Sequence, residues 1–159
     1  MAEKPIANRT IVAVFPAGED RTSLINIFGR SKWKLQFTCT LPETQTALSP
    51  APGVVISGVR LSDGHSWIDL LDEMQKMECP PPLIVGDRLA DEGLWAKVLN
   101  LGGYDLLAKP FIAKEVLHVV STACRRTEHV QELAELRNQA MSARPGAAPS
   151  INVRSAFGW

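Results

Sequence analysis

The chain has 159 residues, 45% of them hydrophobic and 21% charged, with 17 Lys plus Arg against 17 Asp plus Glu. That length suits one domain plus a tail, and the balanced charge gives no net field to draw nucleic acid or an anionic membrane. No apolar run reaches the roughly 20 residues of a membrane-crossing helix, and Met-Ala-Glu-Lys-Pro at the start does not read as a secretion signal.

Thr10 to Phe15 (TIVAVF) is a short apolar run stopped by Pro16, Ala17 and Gly18, the pattern of a buried strand ending in a loop. Asp20 or Thr22 is the expected cap of a first helix, in which Leu24, Ile25, Ile27 and Phe28 recur at helical spacing. Trp33 to Thr40 alternates apolar and polar residues, as a half-buried or edge strand does. Pro42 in a first turn introduces a short second helix that ends near Ser49-Pro50-Ala51-Pro52.

Gly53 to Val59 (GVVISGV) is apolar and β-branched, which suits a central strand covered on both faces. Trp67, Ile68, Leu70, Leu71 and Met74 mark an amphipathic third helix. Leu83, Ile84 and Val85 are a fourth strand core. Leu94, Trp95, Val98, Leu99 and Leu101 make a fourth helix, closed by Gly102-Gly103, where glycine takes the left-handed conformation cheaply. Tyr104 to Ala108 is a fifth strand, and a long helical stretch runs from about Ala113 to Met141. Five strands alternating with five helices predict an α/β three-layer sandwich around a parallel sheet. Functional groups in such sheets collect at the carboxyl ends of the strands, here the loops after Phe15, Gly58, Val85 and Ala108.

The segment Gly53 to Gly64 (GVVISGVRLSDG), the block Pro82 to Asp87, the run Leu101-Gly102-Gly103-Tyr104-Asp105 and the tripeptide Lys109-Pro110-Phe111 occur in order and at the right separations. Together they resemble the receiver domain of two-component response regulators over roughly residues 9 to 125. The resemblance implies a CheY-like, flavodoxin-like sheet of order 2-1-3-4-5 with an extended last helix. It also implies a site with two acids after the first strand, a phosphoaccepting aspartate after the third, a hydroxyl after the fourth and a lysine after the fifth. The acids hold Mg²⁺, a hard cation that takes oxygen ligands and offsets charge as the phosphoryl group arrives.

Carried over residue by residue, the acidic pair falls on Phe15 and Pro16, the acceptor on Gly58 and the hydroxyl on Asp87; only Lys109 agrees. The switch aromatic falls on Leu106. This degenerate phosphorylation pocket implies no aspartyl phosphorylation, no bound metal, no cofactor and no catalytic residues. Ser57 points to the other face by alternation, Asp63 matches the family's turn-tightening loop aspartate, and neither replaces the acceptor. Two arrangements stay open for Lys109: pairing with Asp87 across adjacent strand ends, or solvation, with Asp87 capping the next helix. The resemblance also implies a cis peptide between Lys109 and Pro110.

Cys39, Cys79 and Cys124 show no Cys-x-x-Cys spacing, which argues against zinc or a disulfide framework and predicts reduced thiols in a cytoplasmic protein. His65 is expected in a loop, and His118 and His129 on helix surfaces. No glycine-rich phosphate cradle follows the first strand. The last helix continues an apolar stripe through Val130, Leu133 and Leu136 beyond Arg126, which predicts a dimer or partner helix, with homodimerisation through short paired helices expected and a frayed linker toward a lost output domain as the alternative. The expected divisions are an N-terminal tail over 1–8, a receiver-like domain over 9–126, a helical extension over 127–141 and a disordered tail over 142–159, with Ile151, Val153, Phe157 and Trp159 in it.

The reading is thus a non-enzymatic pseudo-receiver that works by protein–protein interaction with a histidine kinase or another signalling protein, without nucleic acid or membrane. The surface expected to meet the partner lies near Leu94, Lys97 and Leu101 with the last helix. The rivals are a phosphorelay receiver with an unusual acceptor and a flavodoxin-like small-molecule binder.

Overall fold

The computed structural model describes residues 6–142; the segments 1–5 and 143–159, the latter with Ile151, Val153, Phe157 and Trp159, lie outside the described residues. The chain divides into two units, Met1–Thr127 and Glu128–Trp159. The first holds a five-stranded sheet in which β1 (Thr10–Val14), β2 (Lys34–Thr38), β3 (Val54–Gly58), β4 (Leu83–Asp87) and β5 (Asp105–Ala108) lie in the order β2-β1-β3-β4-β5. All pairs are parallel, in a register that puts Val14 beside Ser57, Gly58 beside Gly86 and Asp87 beside Ala108. The carboxyl ends of the three middle strands and β5 therefore meet at one edge.

Side-chain alternation splits the core into two layers. Ile11, Ala13, Phe15, Val54, Ile56, Ile84 and Leu107 face one side. There they pack against Leu24 and Phe28 of α1 (Glu19–Phe28) and Val116, Val120 and Ala123 of α5 (Ala113–Ser142). Val12, Val14, Val55, Leu83 and Val85 face the other side, covered by α2 (Leu41–Ala47), α3 (Trp67–Met74) and α4 (Glu92–Leu101). Every residue of β3 is buried, whereas β2 alternates exposed and half-buried residues, as an edge strand with one covered face should.

Local chemistry sets the helix ends. Thr40 and Glu43 form a reciprocal capping box on α2, as Ser66 and Asp69 do on α3, and Asp91 caps α4 by accepting the Leu94 N–H. Gly102 ends α4 at φ +108°, a conformation that favours glycine. The expected cap of α1 needs correction. The capping residue is Gly18, at φ +152° and without a side-chain bond, so Asp20 already lies inside the first turn. Thr22 donates its hydroxyl back to the Gly18 carbonyl at 3.2 Å, and Asp20 is left free to reach across the strand ends.

α5 has 30 residues. Its buried positions stop at Cys124, and Val130, Leu133, Leu136 and Met141, beyond Thr127, are each half exposed or more.

Candidate functional site

Phe15 leaves β1 directly at the sheet's carboxyl edge and is 2% exposed. Its N–H donates to the Thr38 carbonyl at 2.9 Å, and its own carbonyl accepts from Arg21 Nε at 2.7 Å. These two bonds fix the backbone that a metal-binding receiver uses to present a carboxylate. The ring instead turns into the sheet edge and meets Phe111 edge-on, with centroids 6.0 Å apart and planes at 69°.

Gly58 ends β3 beneath that ring. A β-carbon there would stand 3.4 Å from Phe15 Cε1, so the space above position 58 is already bounded by an aromatic face. Its neighbour on β4, Gly86, is tighter: a β-carbon would sit 3.0 Å from two carbons of the Phe111 ring. The two glycines thus leave room for the two phenylalanines.

Lys109 follows β5, and the peptide bond between it and Pro110 is cis. Its Nζ lies 2.8 Å from Asp20 Oδ2 and 5.1 Å from the centre of the Phe15 ring, and the side chain is only 16% exposed. The ammonium is therefore held by a carboxylate on one side and a π face on another, both favourable for a partly buried cation. Neither arrangement expected of Lys109 occurs: it is mostly buried and ion-paired, and its partner is Asp20 and not Asp87. Asp87 Oδ2 accepts the Leu89 N–H at 3.0 Å, closing a local turn two residues long, and the helix that follows takes Asp91 as its cap. Asp20, in the first turn of α1, reaches the ammonium at 2.8 Å, while the Asp87 carboxylate is engaged by the backbone of its own turn.

A cavity of about 330 Å³ opens beside the pair, lined by Glu19, Asp20, Ser23, Arg88, Lys109 and Phe111 among others. Glu19 meets Arg88 at 3.4 Å, but both side chains are more than three-quarters exposed and the contact adds little. Pro16 is exposed and offers no side-chain oxygen. Among the described residues no three His, Cys, Asp or Glu side chains converge as a metal would require. The positions that the resemblance assigns to metal ligands carry a phenyl ring, a pyrrolidine and a hydrogen, a donor set that does not fit Mg²⁺.

Leu106, at the switch position, packs half-buried against the α2–α3–α4 layer, and Tyr104 packs on the opposite one. On α4, Trp95, Leu99 and Leu101 are exposed by 38–48%, and Trp95 Nε1 donates to Asp105 Oδ1 at 3.1 Å. Asp63 accepts the N–H groups of Leu41 and His65 and pairs with His65 Nδ1 at 3.0 Å, so it ties the loop after β3 to the start of α2. The Leu41 bond, aided by His65, holds its carboxyl below the ordinary value. Asp20 is the residue that sequence reasoning missed; the acidic pair Glu19-Asp20 immediately after Gly18 was its available signal.

No family model matches the chain. A curated relative is the transcriptional regulatory protein FixJ of Bradyrhizobium diazoefficiens, 30% identical over 90 residues; the match covers 54% of this chain and 43% of FixJ. This chain thus matches less than half the length of that relative. Among solved structures, the signal receiver domain of an HD domain-containing protein from Pseudomonas fluorescens Pf-5 aligns with a TM-score of 0.70 at 21% identity. That alignment covers 83% of this chain and 97% of the domain. The beryllofluoride-activated NtrC4 receiver domain dimer aligns at 0.65 and 19% identity, over 75% of this chain and 98% of that one. No helix among the described residues is long and apolar enough to cross a membrane. Sheet order and these neighbours converge, and this chain carries a domain of the response-regulator receiver fold.

Proposed function

We propose that this domain is a signalling module of the receiver type that acts through protein–protein contact, without aspartyl phosphorylation and without catalysing a reaction of its own. The observation that carries the reading is the filled cradle: Phe15 lies over Gly58 while Lys109 is engaged by Asp20 and by the Phe15 ring. A phosphoryl group would find glycine at the acceptor position, no side-chain oxygen on Phe15 or Pro16 to hold a metal, and a lysine already paired with Asp20. The flavodoxin-like ligand reading is less favoured, because Asp20 and Lys109, which line the adjacent cavity, are already paired with each other.

Two surfaces support a contact role. The α4 face exposes Trp95, Leu99 and Leu101. Val130, Leu133 and Leu136 of α5 form an apolar stripe that needs a cover, and a second copy of the chain supplies the matching one. The NtrC4 receiver, a structural neighbour, is a dimer. A histidine kinase or another signalling protein is the partner class proposed for the α4 face, with three free thiols favouring a cytoplasmic setting.

Incubation of the protein with acetyl phosphate and Mg²⁺, followed by intact-mass measurement, tests the proposal. An unchanged mass is expected. A hydroxylamine-labile gain of one phosphoryl group would refute it.

A further inference from the structure

At the amino ends of β1 and β2, away from the strand-end site, lies a second cavity of about 430 Å³, lined by Ala7, Asn8, Arg9, Thr10, Lys32 and Lys34. Three of its six lining side chains are cationic. None of the three has a carboxylate within ion-pair distance among the described residues, although the protein as a whole is electrically balanced. The imbalance begins in the sequence: from Arg21 to Pro42 there are four cations and no Asp or Glu. The β1–β2 pairing then brings Arg9 to the same place, since Thr10 lies opposite Lys34 and the Lys34 N–H donates to the Arg9 carbonyl at 2.8 Å.

The surroundings narrow the ligand. Trp33 is 8% exposed and covered by the Arg9 guanidinium, 5.5 Å from the ring centre, so it offers no free face for a nucleobase. No large apolar side chain among residues 6–10 or 29–36 is exposed, so the described residues here offer none to enter a bilayer or grip a hydrophobic ligand. What remains is a concave, cationic site of small-ligand size.

We propose that the Arg9–Lys32–Lys34 cavity binds a small polyphosphate-type anion. Arg9 presents its planar fork and the two lysines act as mobile point charges around the phosphate oxygens. Because Arg9 rests on Trp33, occupancy changes the environment of that indole, and tryptophan emission reports it.

The test titrates the full chain with inorganic phosphate, pyrophosphate and tripolyphosphate at physiological salt, followed by calorimetry and tryptophan emission. One saturable site is expected, with affinity rising from phosphate to tripolyphosphate. Lys32→Gln and Lys34→Gln, both at exposed positions, should each weaken it about tenfold while leaving the melting temperature unchanged. The proposal fails if no saturable binding is seen, or if the double variant binds as the parent does. It also fails if a DNA duplex or vesicles of phosphatidylserine bind more tightly than tripolyphosphate and depend on the same lysines.

Discussion

Phe15 and Lys109 together determine what the strand-end site is. A buried phenyl ring that touches Phe111 and faces an ammonium is a packing element, and truncating it leaves a cavity and removes one of the two groups that hold the Lys109 ammonium. Phe15→Ala should therefore cost about 3–5 kcal/mol in urea unfolding. Asp20→Asn should cost about 1 kcal/mol or less, because the pair is partly solvated and only one hydrogen-bonded charge is lost. Introducing the family's acceptor alone does not rebuild the chemistry. Gly58→Asp places a carboxylate under the Phe15 ring with no second acid beside it, and calorimetry should detect no Mg²⁺ binding. At this scale the sequence showed which family residues are missing but not what replaces them. The helix begins at a Gly18 cap, which puts Asp20 inside the first turn, and cap preferences for Asp and Thr point to the wrong residue.

Among the elements, α2 is the shortest helix and leans on side-chain bonds at its start. Glu43 accepts from the backbone and thiol of Cys39 and from Thr40, and Asp63 accepts from Leu41; both carboxyls are held below their ordinary values of 4.5 and 3.8. A carboxyl depressed in the folded state binds fewer protons there than when unfolded, so its contribution is present above the ordinary value and fades as pH falls through the folded one. Urea midpoints at about pH 6 and about pH 3 should thus differ less in an Asp63→Asn, Glu43→Gln variant than in the parent. Along α5, Leu133→Glu with Leu136→Glu should convert a dimer to a monomer in light scattering if a second copy covers the stripe. The apolar stripe was legible by spacing. The cationic cavity was not, since Arg9 and the Lys32–Lys34 pair are separated in sequence by the whole of α1 and meet only through strand pairing.

Across the whole molecule, the fold follows from four short apolar blocks and one alternating edge strand, and the parallel order places their carboxyl ends together. That much was readable because buried parallel strands are continuous apolar runs. The strand-end edge of this receiver-fold domain carries an aromatic pair and an internal ion pair. The most direct measurement is a two-dimensional amide NMR spectrum recorded before and after adding Mg²⁺ and beryllofluoride, with Phe15, Gly58 and Lys109 assigned. These three resonances should stay where they are; a saturable shift spreading from Gly58 to Lys109 would contradict the account.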